Sequence, residues 1–286
     1  MTDRRMVTPA AMSAADARHR RRLILGTLAL IGATACSSRA SQQPWTPGAI
    51  IDAATGQLYG AARQGRWVAP AGIDPQALQG REFIHYDREG VRGATTRLRS
   101  QPTAETCSNP TYRPVAASPG PAPGTYLAAD WDAAPRAATR LGLDNATYRA
   151  VVSDWLATRD LTDPAPQLAQ ALRVDLDGDG RDEVILAAER QRGSITSTRA
   201  GDYSVLLLRL WEQDRVVTRP LLADLYPHDC TAECAPRRYR VFSTLDLNGD
   251  GHLEVIVTIQ DYEALSQAIY SLDDLGQVRL SWNCGP

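Results

Sequence analysis

The chain contains no lysine, so all 31 of its cations are arginine, and it has only two phenylalanines. With abundant alanine, that bias points to a GC-rich genome rather than to a function. There is no Walker loop, no GxSxG elbow and no HExxH pair, so the common nucleotide-hydrolase, serine-hydrolase and zincin signatures are all missing. The four histidines, His19, His85, His228 and His252, are scattered. No apolar run approaches the ~20 residues that a membrane-spanning helix needs. Residues 1–35 hold six Arg against two Asp, which leaves 25 Arg against 31 acids beyond them. A mildly acidic remainder carries no electrostatic footprint for nucleic acid, so none is expected as a partner.

What is present begins with an address. Arg18, Arg20, Arg21 and Arg22 form a basic n-region, Leu23 to Ile31 an apolar stretch, and Ala33, Thr34 and Ala35 precede Cys36. This is the order of a secretory signal over residues 1–35. Arg20-Arg21 before Leu23-Ile24 also loosely fits a twin-arginine signal, so the export route stays open. A Cys directly after small residues resembles the lipobox of bacterial lipoproteins, although Ala33 stands where Leu is usual. The resemblance implies lipidation at Cys36 and a membrane partner reached through that lipid. With Ser37 and Ser38 next, it also implies an outer-membrane position facing the periplasm. Residues 36–48, polar and Ser/Gln/Pro-rich, read as a tether.

Export fits the remaining cysteines, Cys107, Cys230, Cys234 and Cys284. Four allow three pairings, of which Cys230–Cys234 with Cys107–Cys284 is the expected one. Zinc is the rival reading, but Cys230-x3-Cys234 has no second CxxC and no paired His nearby.

Residues 49–113 carry a strand pattern, with Gln57–Tyr59 and Arg66–Val68 around a Gln64-Gly65 turn, then Glu82–Tyr86. Residues 114–124 hold four Pro and two Gly and read as a linker. One helix follows. Tyr148, Val151, Val152, Trp155 and Leu156 make a single apolar stripe, with Asp144 or Asn145 as N-cap.

The informative part is an internal repeat. Val174-Asp-Leu-Asp-Gly-Asp-Gly-Arg-Asp-Glu-Val-Ile-Leu returns 71 residues later as Leu245-Asp-Leu-Asn-Gly-Asp-Gly-His-Leu-Glu-Val-Ile-Val. The first copy places Asp175, Asp177, Asp179 and Glu183 at loop positions 1, 3, 5 and 9; the second places Asp246, Asn248, Asp250 and Glu254 there. Gly180 and Gly251, at position 6, permit the turn that aims the carbonyls of Arg181 and His252 inward. Carboxylates this close repel one another without a counter-ion. Calcium, which takes six to eight hard oxygens at flexible geometry, suits the inventory better than magnesium. Two Ca2+ sites are therefore expected.

Position 12 is Leu186 or Val257 instead of the bidentate Glu of an EF-hand, and the flanks are strands. The acid at position 9 followed by a strand resembles the FG-GAP or VCBS-type calcium loops of β-propeller blades, over roughly residues 170–286. The whole chain also looks like a group of bacterial lipoproteins that carry this loop pair. The expected fold is α+β, mainly β: antiparallel sheets, a partial or divergent propeller-like repeat pair over residues 125–286, and one packed helix.

No catalytic residue stands out. Asp261 with Glu263, and His228 with Asp229, are the nearest to acid–base pairs. Three function classes remain open: a lipid-anchored calcium-binding interaction module for a protein or glycan, an inhibitor or immunity lipoprotein against a cell-wall hydrolase, and a hydrolase with a hidden site. The polar segment from Arg192 to Tyr203 is the expected contact loop.

Overall fold

The computed structural model describes residues 48–101, 103–115, 123–163, 165–231 and 234–285. The expected signal, Cys36 and all of the tether but Gly48 lie outside them, as do residues 116–122 of the proline-rich stretch. From Trp45 to Pro286 the chain makes one compact unit.

Sixteen strands in three antiparallel sheets, with a single α-helix among the described residues, make the fold mainly β. The first sheet holds β1 (Gly48–Asp52), β2 (Leu58–Arg63), β3 (Arg66–Val68), β4 (Glu82–Asp87), β5 (Arg92–Gln101), β6 (Thr111–Pro114) and β7 (Gly124–Leu127). Its order is β3-β2-β1-β7-β4-β5-β6. The strand after the proline-rich stretch, β7, thus sits between β1 and β4, in the middle of the sheet built by residues 48–114. The sheet curls into a half-barrel. Leu58 N–H donates to the Pro110 carbonyl at 2.9 Å and Tyr112 N–H to the Gly56 carbonyl at 2.8 Å, drawing β6 back toward β2. Ile51, Phe83, Leu98 and Tyr126 fill its inside.

The second sheet has β8 (Thr139–Arg140), β9 (Leu168–Val174), β10 (Glu183–Arg190), β11 (Asp202–Glu212) and β12 (Arg215–Tyr226), in the order β12-β11-β10-β9-β8. Gln213 and Asp214, both at positive φ, make the two-residue turn between β11 and β12, whose twist suits a hairpin. The third sheet is the meander β13 (Arg238–Leu245), β14 (Glu254–Gln260), β15 (Leu265–Tyr270), β16 (Val278–Cys284). The β15–β16 connection contains a short 3-10 turn, Leu272–Asp274.

Alternation along the strands sets the layers, since successive side chains in a strand face opposite ways. Ile185, Ala187, Leu206 and Leu208 of the second sheet pack on Val241, Val255, Val257 and Tyr270 of the third. Their alternates, Val184, Leu186, Val205 and Leu207, pack with Val152, Trp155 and Leu156 of α1 (Ala146–Ala157). The far face of the third sheet, Leu245, Ile256, Ile269 and Trp282, meets Ile50, Tyr59, Tyr86 and Leu127 of the half-barrel. A bulge between Val241 and Ser243 shifts the alternation, so Leu245 faces the half-barrel while Tyr239 and Val241 face the second sheet. The third sheet is buried on both faces. Each fully buried Leu, Ile or Val there contributes about 1.5–3 kcal/mol of apolar burial.

Asn145 caps α1, accepting from the N–H groups of Thr147 and Tyr148, while Asp144 instead pairs with Arg149. Both expected disulfides form. Cys107–Cys284 ties the half-barrel to the last strand across 177 residues, and Cys230–Cys234 closes a short loop. No zinc-type cysteine cluster is therefore available.

Candidate metal centre

The two repeated loops join equivalent strand pairs, β9 to β10 and β13 to β14. In each, the first acid folds the loop around itself. Asp175 accepts from Gly178 N–H at 2.7 Å and Gly180 N–H at 3.2 Å. Asp246 accepts from Gly249 N–H at 2.7 Å and Gly251 N–H at 3.0 Å. The position-6 glycines have φ of +85° and +91° with open space where a Cβ would go, so conformation alone demands glycine. The position-9 acid reaches back under the loop. Glu183 accepts from Leu176 N–H at 2.9 Å, and Glu254 from Leu247 N–H at 2.8 Å.

Beyond that frame the loops differ. In the first, carboxylate oxygens of Asp175, Asp177 and Glu183 all lie within 4.8 Å of one another, a set that could hold a metal ion. Glu183 is 2% exposed. Burial, reinforced by the charges of Asp177, Asp179 and Asp175 against the Leu176 N–H, pushes its carboxyl up to about 7. Asp179 turns to accept from Arg181 N–H at 2.7 Å and is not one of the three. The Arg181 guanidinium pairs with Asp214 at 3.3 Å and lies over the Trp211 ring.

The second loop is more enclosed. Asp246, Asn248 and Glu254 are all buried. The Asn248 carboxamide donates to Glu254 Oε1 at 2.8 Å, so both Glu254 oxygens are engaged. Burial first, then the charges of Asp250 and Asp246, raises the Glu254 carboxyl well above its ordinary range. Asp246 is raised by burial too, against its glycine N–H donors. Asp250 gathers with His252 and with Asp273 from outside the loop. The His252 ring, its side chain 43% exposed, lies 3.8 Å from Asp273 of the β15–β16 connection.

Sequence patterning missed the strap that holds both loops. Trp131 Nε1 donates to the Asp246 carbonyl at 2.8 Å and its ring covers Gly249. Arg136 donates through Nε to the Asp175 carbonyl at 2.6 Å and through Nη2 to the Gly251 carbonyl at 2.7 Å. Both residues lie in an irregular segment with no periodicity to reveal them. Only the glycines at loop position 4, Gly178 and Gly249, hinted at a close neighbour. They have positive φ, and a Cβ there would meet Arg136 or Trp131 at 3.0–3.2 Å.

The other sites singled out in the sequence have structural employment. Asp261 Oδ1 accepts from the N–H groups of Glu263 and Ala264, which closes a turn. Asp229 accepts from Ala200 N–H. Nearby, Arg237 pairs with Asp224 and Arg240 with Glu189. No helix among the described residues is long and apolar enough to cross a membrane.

The fold and site thus define a stack of antiparallel sheets carrying two acidic loops under one strap. Compared with protein-family models, characterised proteins and solved structures, the chain finds no match.

Proposed function

We propose that this chain is an exported, lipid-anchored calcium-binding protein that acts as an interaction module at the cell envelope. The observation that carries calcium is the first loop. Three carboxylate oxygens sit within 4.8 Å of one another, one of them on Glu183, whose carboxyl is pushed up to about 7 by burial first and by the neighbouring aspartate charges second. A hard divalent cation relieves that repulsion, with the Arg181 carbonyl and Asp179 completing its oxygen shell. The second loop offers Asp246, Asn248, Asp250, Glu254 and the His252 carbonyl to a second ion, with Asp273 beside it. Calcium then serves as a staple, contributing roughly 2.7 kcal/mol at a hundredfold excess over its dissociation constant. The finer fold reading is a pair of propeller-like blades. It is supported by the same loop recurring at the same place in two sheets that stack face to face.

Anchoring rests on the basic, apolar and small-residue order ending at Cys36. A lipid there tethers the domain while leaving it in water.

The test is thermal unfolding of residues 37–286 in EDTA and in millimolar calcium, beside Asp175→Ala/Asp246→Ala. A calcium-dependent rise that the double variant loses is expected. A wild type indifferent to calcium refutes the metal reading. In cells, Cys36→Ser should move the protein from the membrane to the soluble fraction; an unchanged distribution refutes the anchor.

A further inference from the structure

The antiparallel order places the β10–β11 and β14–β15 connections at the ends of their sheets opposite the acidic loops. Between them opens a cleft of about 300 Å³. Gln191 and Ile195 line one side, and Arg238, Gln260, Asp261 and Tyr262 the other. Ile195 and Tyr262, 65% and 56% exposed, put one large aliphatic and one aromatic side chain at the same hollow.

The walls are held in place. Asp202, 1% exposed, accepts from the N–H groups of Arg192, Gly193 and Arg199 and from Arg192 Nε, at 2.9–3.3 Å. Thr198 and Cys230 exchange a pair of backbone hydrogen bonds at 2.9 Å, and Cys234 N–H donates to the Thr196 carbonyl, which pins the loop to the Cys230–Cys234 disulfide. Across the cleft, Arg238 Nε donates to Gln191 Oε1 at 3.1 Å. A loop fixed in this way loses little conformational freedom when a ligand arrives.

We propose that this cleft binds a neutral saccharide. Gln191 is held in the wall, its carboxamide accepting from Arg238 and donating to the Arg237 carbonyl. That leaves the Gln260 carboxamide, the Arg238 guanidinium and the Asp261 carboxylate as planar groups lining the cleft, a set that matches the adjacent hydroxyls of a sugar ring. The exposed Tyr262 ring, with Ile195 beside it, offers an apolar platform to the C–H face of that ring. Arg238 and Asp261 place both signs of charge in one small hollow, so a strongly charged ligand of either sign meets a repulsive group. A purely apolar ligand would bury their polar atoms without partners. The volume is at the small end for ligand clefts and suits a terminal sugar rather than the middle of a long chain. This inference takes from the envelope-module reading only the kind of ligand within reach; calcium plays no part in it.

Saturation-transfer NMR on the full chain tests it, with maltotetraose, cellotetraose, mannotetraose and tetra-N-acetylchitotetraose as probes at millimolar concentration. At least one should bind the wild type. Tyr262→Ala should weaken that sugar at least tenfold, and Gln260→Ala should weaken it too, both with an unchanged melting temperature. No transfer to any of the four probes overturns the proposal, as does binding that both variants leave intact. Sugar binding without a calcium-dependent melting shift would sink only the metal reading; a calcium shift without sugar binding would sink only this one.

Discussion

The N–H of Leu253 donates to the carbonyl of Leu176 at 2.7 Å, so the last residue of the second acidic loop is bonded to the second residue of the first. Arg136 adds its own bridge between Asp175 and Gly251. Two loops far apart in sequence share one hydrogen-bonded frame.

That sharing predicts coupled calcium sites. In isothermal titration, Asp175→Ala should weaken calcium at the second loop as well, by about fivefold for a coupling near 1 kcal/mol. In an Arg136→Ala background the effect at the second loop should be smaller, because, of these links, only the Leu253–Leu176 backbone bond then remains. A second site indifferent to Asp175→Ala in the otherwise native chain would show that the frame transmits nothing.

Glu183→Gln separates metal binding from stability. Without calcium it removes a buried charge set among three aspartates yet keeps an oxygen for the Leu176 N–H. The metal-free melting temperature should rise by a few degrees, for about 1 kcal/mol of relieved repulsion. The calcium-dependent increment should shrink to the share that the second loop supplies. A lower metal-free melting temperature would mean that the carboxylate stabilises the loop on its own.

Asp202 is the opposite case. Burial alone would raise its carboxyl, but the N–H groups of Arg199, Arg192 and Gly193 and the Arg192 side chain outweigh burial and hold it below the usual carboxylate range. Asp202→Ala orphans three backbone donors and should cost about 3 kcal/mol. A depressed folded-state value means this stabilisation is present above the unfolded carboxylate range and is lost as pH falls through the folded value. Urea melts should therefore show a constant gap between wild type and variant near neutral pH, closing only in strong acid. A gap that widened on acidification would contradict the assignment.

The two disulfides should differ in worth. In the chain-entropy picture, Cys107–Cys284 restrains a 177-residue loop and contributes roughly 5 kcal/mol, against roughly 2 kcal/mol for Cys230–Cys234. Denaturant melts of Cys107→Ser/Cys284→Ser and Cys230→Ser/Cys234→Ser should rank in that order. Equal losses would show that the short disulfide also sustains the backbone bonds of Cys230 and Cys234 to Thr198 and Thr196, a contribution beyond chain entropy.

Much of the fold was legible because its signals are local. The period-4 stripe and Asn145 cap marked α1, and the β-branched runs after Glu183 and Glu254 marked β10 and β14. The Gln64-Gly65 turn marked the hairpin of β2 and β3. The His252–Asp273 approach was hidden because it depends on a strand connection more than twenty residues away folding back over the loop. The role of Asp202 was hidden for a related reason, since its four donors follow only once the preceding loop has closed.

The sequence by itself determined the order of strands and helix, the two Asp/Gly loops with glycine where φ must be positive, and the cysteines available for pairing. Each of these depends on a residue's own backbone preference or on neighbours within one turn or strand. Tertiary structure alone decided that the third sheet is buried on both faces, that β7 crosses back into the first sheet, and that Trp131 and Arg136 clamp both loops. It also decided that Ile195 and Tyr262 face one cleft. Those outcomes come from packing between segments distant along the chain, where shape and desolvation set the partners and no local period records them.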